Sequence, residues 1–221
     1  MLLAACGAGI GVWALALGTV SLAGRPFVLD DPAGMPYAIV AGTAYLIVAV
    51  IVLTRWPKVA GAPLSSLGLR APRGREAAVI GICVAVVCVL RLLTFAYLAA
   101  IGQSSHVQTG IGNFHPSSPG GAVLAILVGA TVAPFSEELV FRGTIYRAID
   151  QRMPDTRACI ASGLIFAAAR LDVVLAPFFV AYGTVLALVY RRTGNLFVPI
   201  AIRTIFDGGS YALLVWLASA R

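Results

Sequence analysis

Runs of apolar residues near the length of a membrane helix recur along the chain, separated by short polar stretches. Seven can be drawn, at about 2–23, 37–54, 77–101, 121–141, 158–171, 173–190 and 196–218. Several approach the roughly 20 residues that a helix needs to cross a bilayer. Polar residues do not alternate with apolar ones at the period of a strand, which argues against a transmembrane barrel. The fifth and sixth runs are short and share the punctuation "RLDVVLAP", so they are expected to form a pair that does not fully span. Internal repeats and low-complexity tracts are absent from the sequence. The pattern predicts an all-α polytopic membrane protein, with about seven transmembrane helices in one bundle around a polar intramembrane cavity. It predicts a single domain over 1–221.

Composition strengthens that reading. Hydrophobic residues make up 60% and charged residues 11%, with a mean hydropathy of +0.93, whereas soluble domains run at about 45–50% and about 25%. The net charge of +7 then reads as loop bias and not as a nucleic-acid surface. "RWPKVAGAPLSSLGLRAPRGRE" carries Arg55, Lys58, Arg70, Arg73 and Arg75, "RGTIYRAIDQRMPDTR" carries four arginines, and "YRRTGN" carries Arg191 and Arg192. The intervening loops hold one arginine between them. Such alternation predicts seven crossings with the N-terminus inside. Cys6, Cys83, Cys88 and Cys159 all lie in apolar runs, where cysteine behaves as a small hydrophobe. Leu3-Ala4-Ala5-Cys6 is similar to a lipobox, but the apolar stretch continues past the cysteine and no basic region precedes it, so a first membrane helix is expected.

Charges inside membrane helices cost about 2.5–3.5 kcal/mol each on insertion scales, so each one asks for a reason. Here they are Arg91, Glu137, Glu138, Arg142, Arg170, Asp172, Arg203 and Asp207. Arg91 stands alone and is expected to be structurally paired or to snorkel. Glu138 and Arg142 lie four residues apart and share a helical face. Glu137 points about 100° away and is expected to be left for another use. Arg203 and Asp207 repeat the spacing, as do Phe166 and Arg170. Spacing alone leaves two readings open: a catalytic site, or a buried ion network that fixes helix packing.

These positions resemble the CPBP family, the CAAX-protease and bacteriocin-processing membrane proteins, over roughly residues 120–210. The family's Glu-Glu-x-x-x-Arg motif is matched by Glu137, Glu138 and Arg142 in "SEELVFRG". Its Phe-x-x-x-His motif meets "FAAAR", with Phe166 present and Arg170 in place of histidine. Its His-x-x-x-Asn/Asp motif meets "RTIFD", with Arg203 in place of histidine and Asp207 fitting. The run "YRRTGN" is similar to the family's Tyr-x-x-Thr-Gly-Asn/Ser approach. The resemblance implies an intramembrane endopeptidase of a bacterial cytoplasmic membrane, acting on membrane-associated, prenylated or leader peptides. Glu137 would activate water, Glu138 and Arg142 would support it, and Arg203 and Asp207 would stand near the oxyanion.

The two arginines depart from that chemistry. A neutral imidazole accepts a proton or binds a metal; a guanidinium only donates. No metal site and no cofactor are therefore expected on the matched positions. His106 and His115 fall in a loop predicted on the opposite side from the inner end of the helix bearing the glutamates. Arg203 can stabilise an oxyanion, whereas Arg170 beside Glu137 would pair with the base. Two readings follow: a membrane peptidase, and an inactive pseudo-peptidase that binds a membrane partner, peptide or lipid. A transporter would draw on the same charges but lacks repeated halves.

Overall fold

A computed structural model describes residues 34–104, 123, 127–153 and 155–219. The predicted segment 2–23, Cys6 and both histidines lie outside these residues. The described residues form an all-helical bundle without strands. Helix α1, Gly34–Ala60, is followed by a single 3-10 turn, Leu64–Leu67. Helix α2 is Gly74–Ala100. Helix α3, residues 127–150, runs without a break through Leu127–Val132, Ala133–Glu138, Leu139–Tyr146 and Arg147–Asp150. Helices α4, Thr156–Ala168, α5, Ala176–Thr193, and α6, Phe197–Ser219, complete the set.

The ends of these helices follow from local chemistry. Glu76, in the first turn of α2, reaches back to accept the backbone N–H of Arg73 at 2.7 Å, satisfying a donor that the helix cannot. The far end of α2 closes by donation from Gln103 N–H to the Leu98 carbonyl at 2.8 Å, with Gly102 at φ +70. Pro177 opens α5 and Gly194, at φ +58, closes it. Asn195 then caps α6, its Oδ1 accepting from Phe197 N–H at 3.0 Å.

Helix α2 is the one described helix long and apolar enough to cross a membrane by itself. Its outward face shows Ile82 and Leu92 at 65% exposure each. A row of such side chains in water would be an aggregation hazard; in lipid it is the ordinary outer wall. The same reasoning covers exposed Leu46, Ile47, Val50 and Ile51 on α1 and Trp216 on α6. The chain is a membrane protein, and a polytopic bundle fits it. From Leu127 onward in the run 121–141, and in the other runs from 37–54 on, each predicted run falls on one described helix.

Two expectations change. The stretch after residue 141 was expected to be a basic loop, yet the helix continues to Asp150. Its polar residues are absorbed inside the bundle. Arg142 is fully buried, and Arg147 donates to Tyr190 Oη at 2.8 Å and to the Ser66 carbonyl. Glu137 and Glu138 consequently sit in mid-helix and not near an end. Arg91 finds rings as partners, its guanidinium lying 5.3 Å from the Phe95 centroid and 5.4 Å from that of Phe178.

Helices α4 and α5 pack closely because glycines face each other. A Cβ on Gly183 would stand 2.9 Å from Gly163 Cα and 3.1 Å from Phe166 Cβ, so only glycine permits this approach. At 13 residues, α4 is about 20 Å long and falls short of the roughly 30 Å hydrocarbon core. That agrees with the expected shortness of the fifth run. One end of the bundle gathers the α1–α2 linker, the last turn of α3, the start of α4 and the end of α5. Arg70 pairs there with Glu76, Arg147 reaches Ser66, and Arg191 pairs with Asp155 at 3.2 Å.

Candidate functional site

Helix α3 turns both glutamates into the protein through an unusual backbone. The α-helical turn that carries them, Ala133–Glu138, lies between two π-helical stretches, Leu127–Val132 and Leu139–Tyr146. Such widened turns are rare and cluster at functional sites. Glu137 is 2% exposed and Glu138 is 0% exposed.

The structure brings Glu137, Glu138, Arg142, Arg170, Arg203 and Asp207 into one cluster from two helices and the turn after a third. Glu138 Oε1 accepts from Arg142 Nη1 at 2.8 Å, the pair that the four-residue spacing predicts. Arg203 Nη1 contacts the same oxygen at 3.4 Å. Glu137, turned away from Arg142, is held by two other arginines, one of them the Arg170 that was expected to pair with it. Its Oε2 accepts from Arg203 Nη1 at 2.7 Å and from Arg170 Nη2. Arg203 also pairs along its helix with Asp207, at 3.7 Å. The reason is tertiary: the 100° turn that points Glu137 away from Arg142 points it towards α6 and the end of α4. Asp172 stands apart and accepts from Leu175 N–H at 2.9 Å, holding the start of α5.

Phe166 organises the cations. Its ring lies 4.8 Å from the Arg170 guanidinium, 4.9 Å from that of Arg142 and 5.6 Å from that of Arg203. Phe166 is itself fully buried, with edge contacts to Phe141 and Tyr182. A ring face of this kind attracts cations most where water is excluded. Arg142 is held further by donating from Nη2 to the Gly183 carbonyl at 2.9 Å.

Sequence reasoning missed Tyr45. From α1, its hydroxyl donates to Glu137 Oε1 at 3.2 Å. The signal was a hydroxyl-bearing ring inside the apolar run "GTAYLIVAV", since a tyrosine O–H in such surroundings usually finds a partner. A second miss lies outside the cluster. Glu76 accepts from Arg70 at 2.5 Å and 3.0 Å and from Asn195 Nδ2 at 3.1 Å, tying the α1–α2 linker to "TGN". This gives that run a structural task.

The donor set suits anions better than a cation. Each glutamate already faces guanidinium groups, and among the described residues no three His, Cys, Asp or Glu converge. A metal ion would have to displace arginines from both carboxylates.

Comparison with known proteins finds similarity over the segment that carries this cluster. Residues 119–209 match the family profile described as type II CAAX prenyl endopeptidase Rce1-like. That span holds every member of the cluster except Tyr45. The resemblance covers about two fifths of the chain. A Bacillus subtilis (strain 168) protein named "Putative membrane peptidase YdiL" is 30% identical over 104 residues, covering 47% of this chain and 41% of the relative. The chain thus spans about two fifths of the length of the curated relative it matches. No solved structure matches the chain at a significant level.

Proposed function

We propose that the protein receives membrane-associated peptides at the Glu137–Glu138 centre of an intramembrane peptidase fold, and that Arg170 and Arg203 disarm the peptidase chemistry there. The observation that carries this reading is the shared hold of both guanidiniums on Glu137 Oε2. A carboxylate oxygen whose lone pairs accept N–H donors has none left to take a proton from water. Neither arginine can take over as base. The six charged members form a neutral set of three acids and three arginines, which stabilises the site as a closed ion network. Substrates or partners are membrane peptides, in a bundle of about seven spans in a bacterial cytoplasmic membrane with the N-terminus inside. The gathering of basic residues at one end of the bundle supports that orientation.

One observation favours a second reading, an active glutamate-dependent peptidase. Glu137 Oε1 is held by the Tyr45 hydroxyl, a neutral donor that a water molecule can displace. Arg203 would then serve the oxyanion. A cleavage assay on a membrane-associated peptide separates the two, using the chain as it stands, Glu137→Ala, and Arg170→His combined with Arg203→His. Turnover in the double variant alone identifies a disarmed peptidase. Turnover by the parent that Glu137→Ala abolishes establishes the second reading. Equal turnover by the parent and Glu137→Ala would sink any role for Glu137.

A further inference from the structure

The three arginines of the cluster are not equivalent. Arg142 and Arg203 lie inside α3 and α6, with side chains 0% and 5% exposed, and their backbones are fixed by the helices that bear them. Arg170 differs in both respects. It lies two residues past the end of α4, on the non-helical turn that leads towards α5, and its side chain is 22% exposed. The next residue, Leu171, is held at φ +52, a conformation that only glycine adopts readily. Leu171 and Val173 are 79% and 87% exposed. Arg170 is thus the one cation of the three that reaches both Glu137 and the surroundings, and the turn that bears it also carries two exposed apolar side chains.

From this we infer that Arg170 is the receptor for a carboxylate carried on an apolar group, and a latch on Glu137 until such a ligand arrives. The inference rests on the reading of the site as a binding centre for membrane peptides, and adds the group that is recognised. Glu137 shows what the guanidinium accepts in this position: a carboxylate oxygen. A ligand carboxylate can replace it like for like. Glu137 is not orphaned by the exchange, since Arg203 at 2.7 Å and Tyr45 at 3.2 Å remain on it. Arg170 keeps its stacking on Phe166 and Phe179, with centroids at 4.8 Å and 5.5 Å. The apolar part of the ligand lies against Leu171 and Val173. A guanidinium forks onto a carboxylate with two parallel donors, a geometry that an amide cannot return.

Competition between Glu137 and the ligand gives the test a signature that simple charge attraction lacks. Binding in detergent micelles is measured for a leucine-ended apolar decapeptide with a free terminal carboxylate, its terminal amide, dodecanoate and dodecanol. The protein is the full chain, as parent, Arg170→Gln, Arg170→Lys and Glu137→Gln, each checked for a cooperative melt. The acid peptide should bind at least about tenfold tighter than the amide. Arg170→Gln should erase that preference, and Arg170→Lys should keep part of it even if the glutamine variant fails to fold. Glu137→Gln, which removes the competing carboxylate, should tighten acid binding by a further tenfold or so. Equal binding of acid and amide, a preference that survives Arg170→Gln, or no gain in Glu137→Gln overturns the latch. Peptide binding without acid preference leaves the peptide reading standing and the latch refuted. The same pattern with dodecanoate alone keeps the latch and refutes the peptide reading. Binding of none of the four refutes both.

Discussion

Truncating Arg142 to alanine is the sharpest probe of whether the charged cluster holds the fold. Its guanidinium donates to Glu138 Oε1 at 2.8 Å and to the Gly183 carbonyl at 2.9 Å, with the Phe166 ring 4.9 Å away. Removing it leaves Glu138 a fully buried carboxylate, with Arg203 at 3.4 Å and Oε2 without a hydrogen-bond partner among the described residues. Breaking a buried pair by deleting one partner costs about 3–5 kcal/mol. For a chain of this size each kcal/mol moves the midpoint by about 2–4 °C, so a fall of about 6–20 °C is expected. Cys159, which is 0% exposed, supplies the assay: a thiol-reactive fluorophore in detergent reports its release on unfolding, with Cys6, Cys83 and Cys88 replaced by alanine. Combining Arg142→Met with Glu138→Gln removes both charges and should recover at least half of the loss, because apolar replacements of a whole ion pair are often tolerated. Melting of Arg142→Ala within about 2 °C of the parent would show that the network does not stabilise the protein.

Two further substitutions test the scaffold around the cluster. Gly183→Ala places a Cβ 2.9 Å from Gly163 Cα and should cost about 1–3 kcal/mol through overpacking, read as a lower melting midpoint in the same thiol assay. Gly68→Ala puts a Cβ 2.0 Å from the Gly194 carbonyl oxygen at φ +72. The left-handed backbone alone is worth about 1–3 kcal/mol for a residue with a side chain; an unchanged midpoint would mean that the α1–α2 linker does not dock on the end of α5.

The sequence made the local part of the site legible and left the tertiary part hidden. Glu138 and Arg142 pair because the helix alone brings residues four apart together, and no other element was needed to foresee it. The same reasoning turned Glu137 away from Arg142 but could not by itself supply its partners. Its partners come from residues 33 and 66 positions further along the chain, whose convergence depends on how α4 and α6 pack against α3. The end of the fourth apolar run, 121–141, was misplaced for a related cause. Hydropathy counts Arg142, Thr144 and Arg147 as loop residues, whereas the bundle supplies each with an acceptor inside the protein. Tyr45 lies on a helix outside the matched segment, so neither spacing nor resemblance could point to it.

The position of Tyr45 bears on what kind of unit the site is. The matched segment, residues 119–209, supplies both glutamates, Asp207 and all three arginines, and these already balance in charge. A neutral network of that kind could close on itself and need nothing from the rest of the chain. Yet Glu137 presents its two oxygens to different parts of the protein. Oε2 faces the arginines of the core, and Oε1 faces α1. Whatever approaches Glu137 without disturbing the ion network must therefore come from the side that α1 covers. Arg170, the one arginine of the cluster that lies outside a helix, flanks the same carboxylate. The core thus sets the charges, while α1 and the turn after α4 control who reaches them, so specificity in this protein should follow residues that the family motifs do not contain.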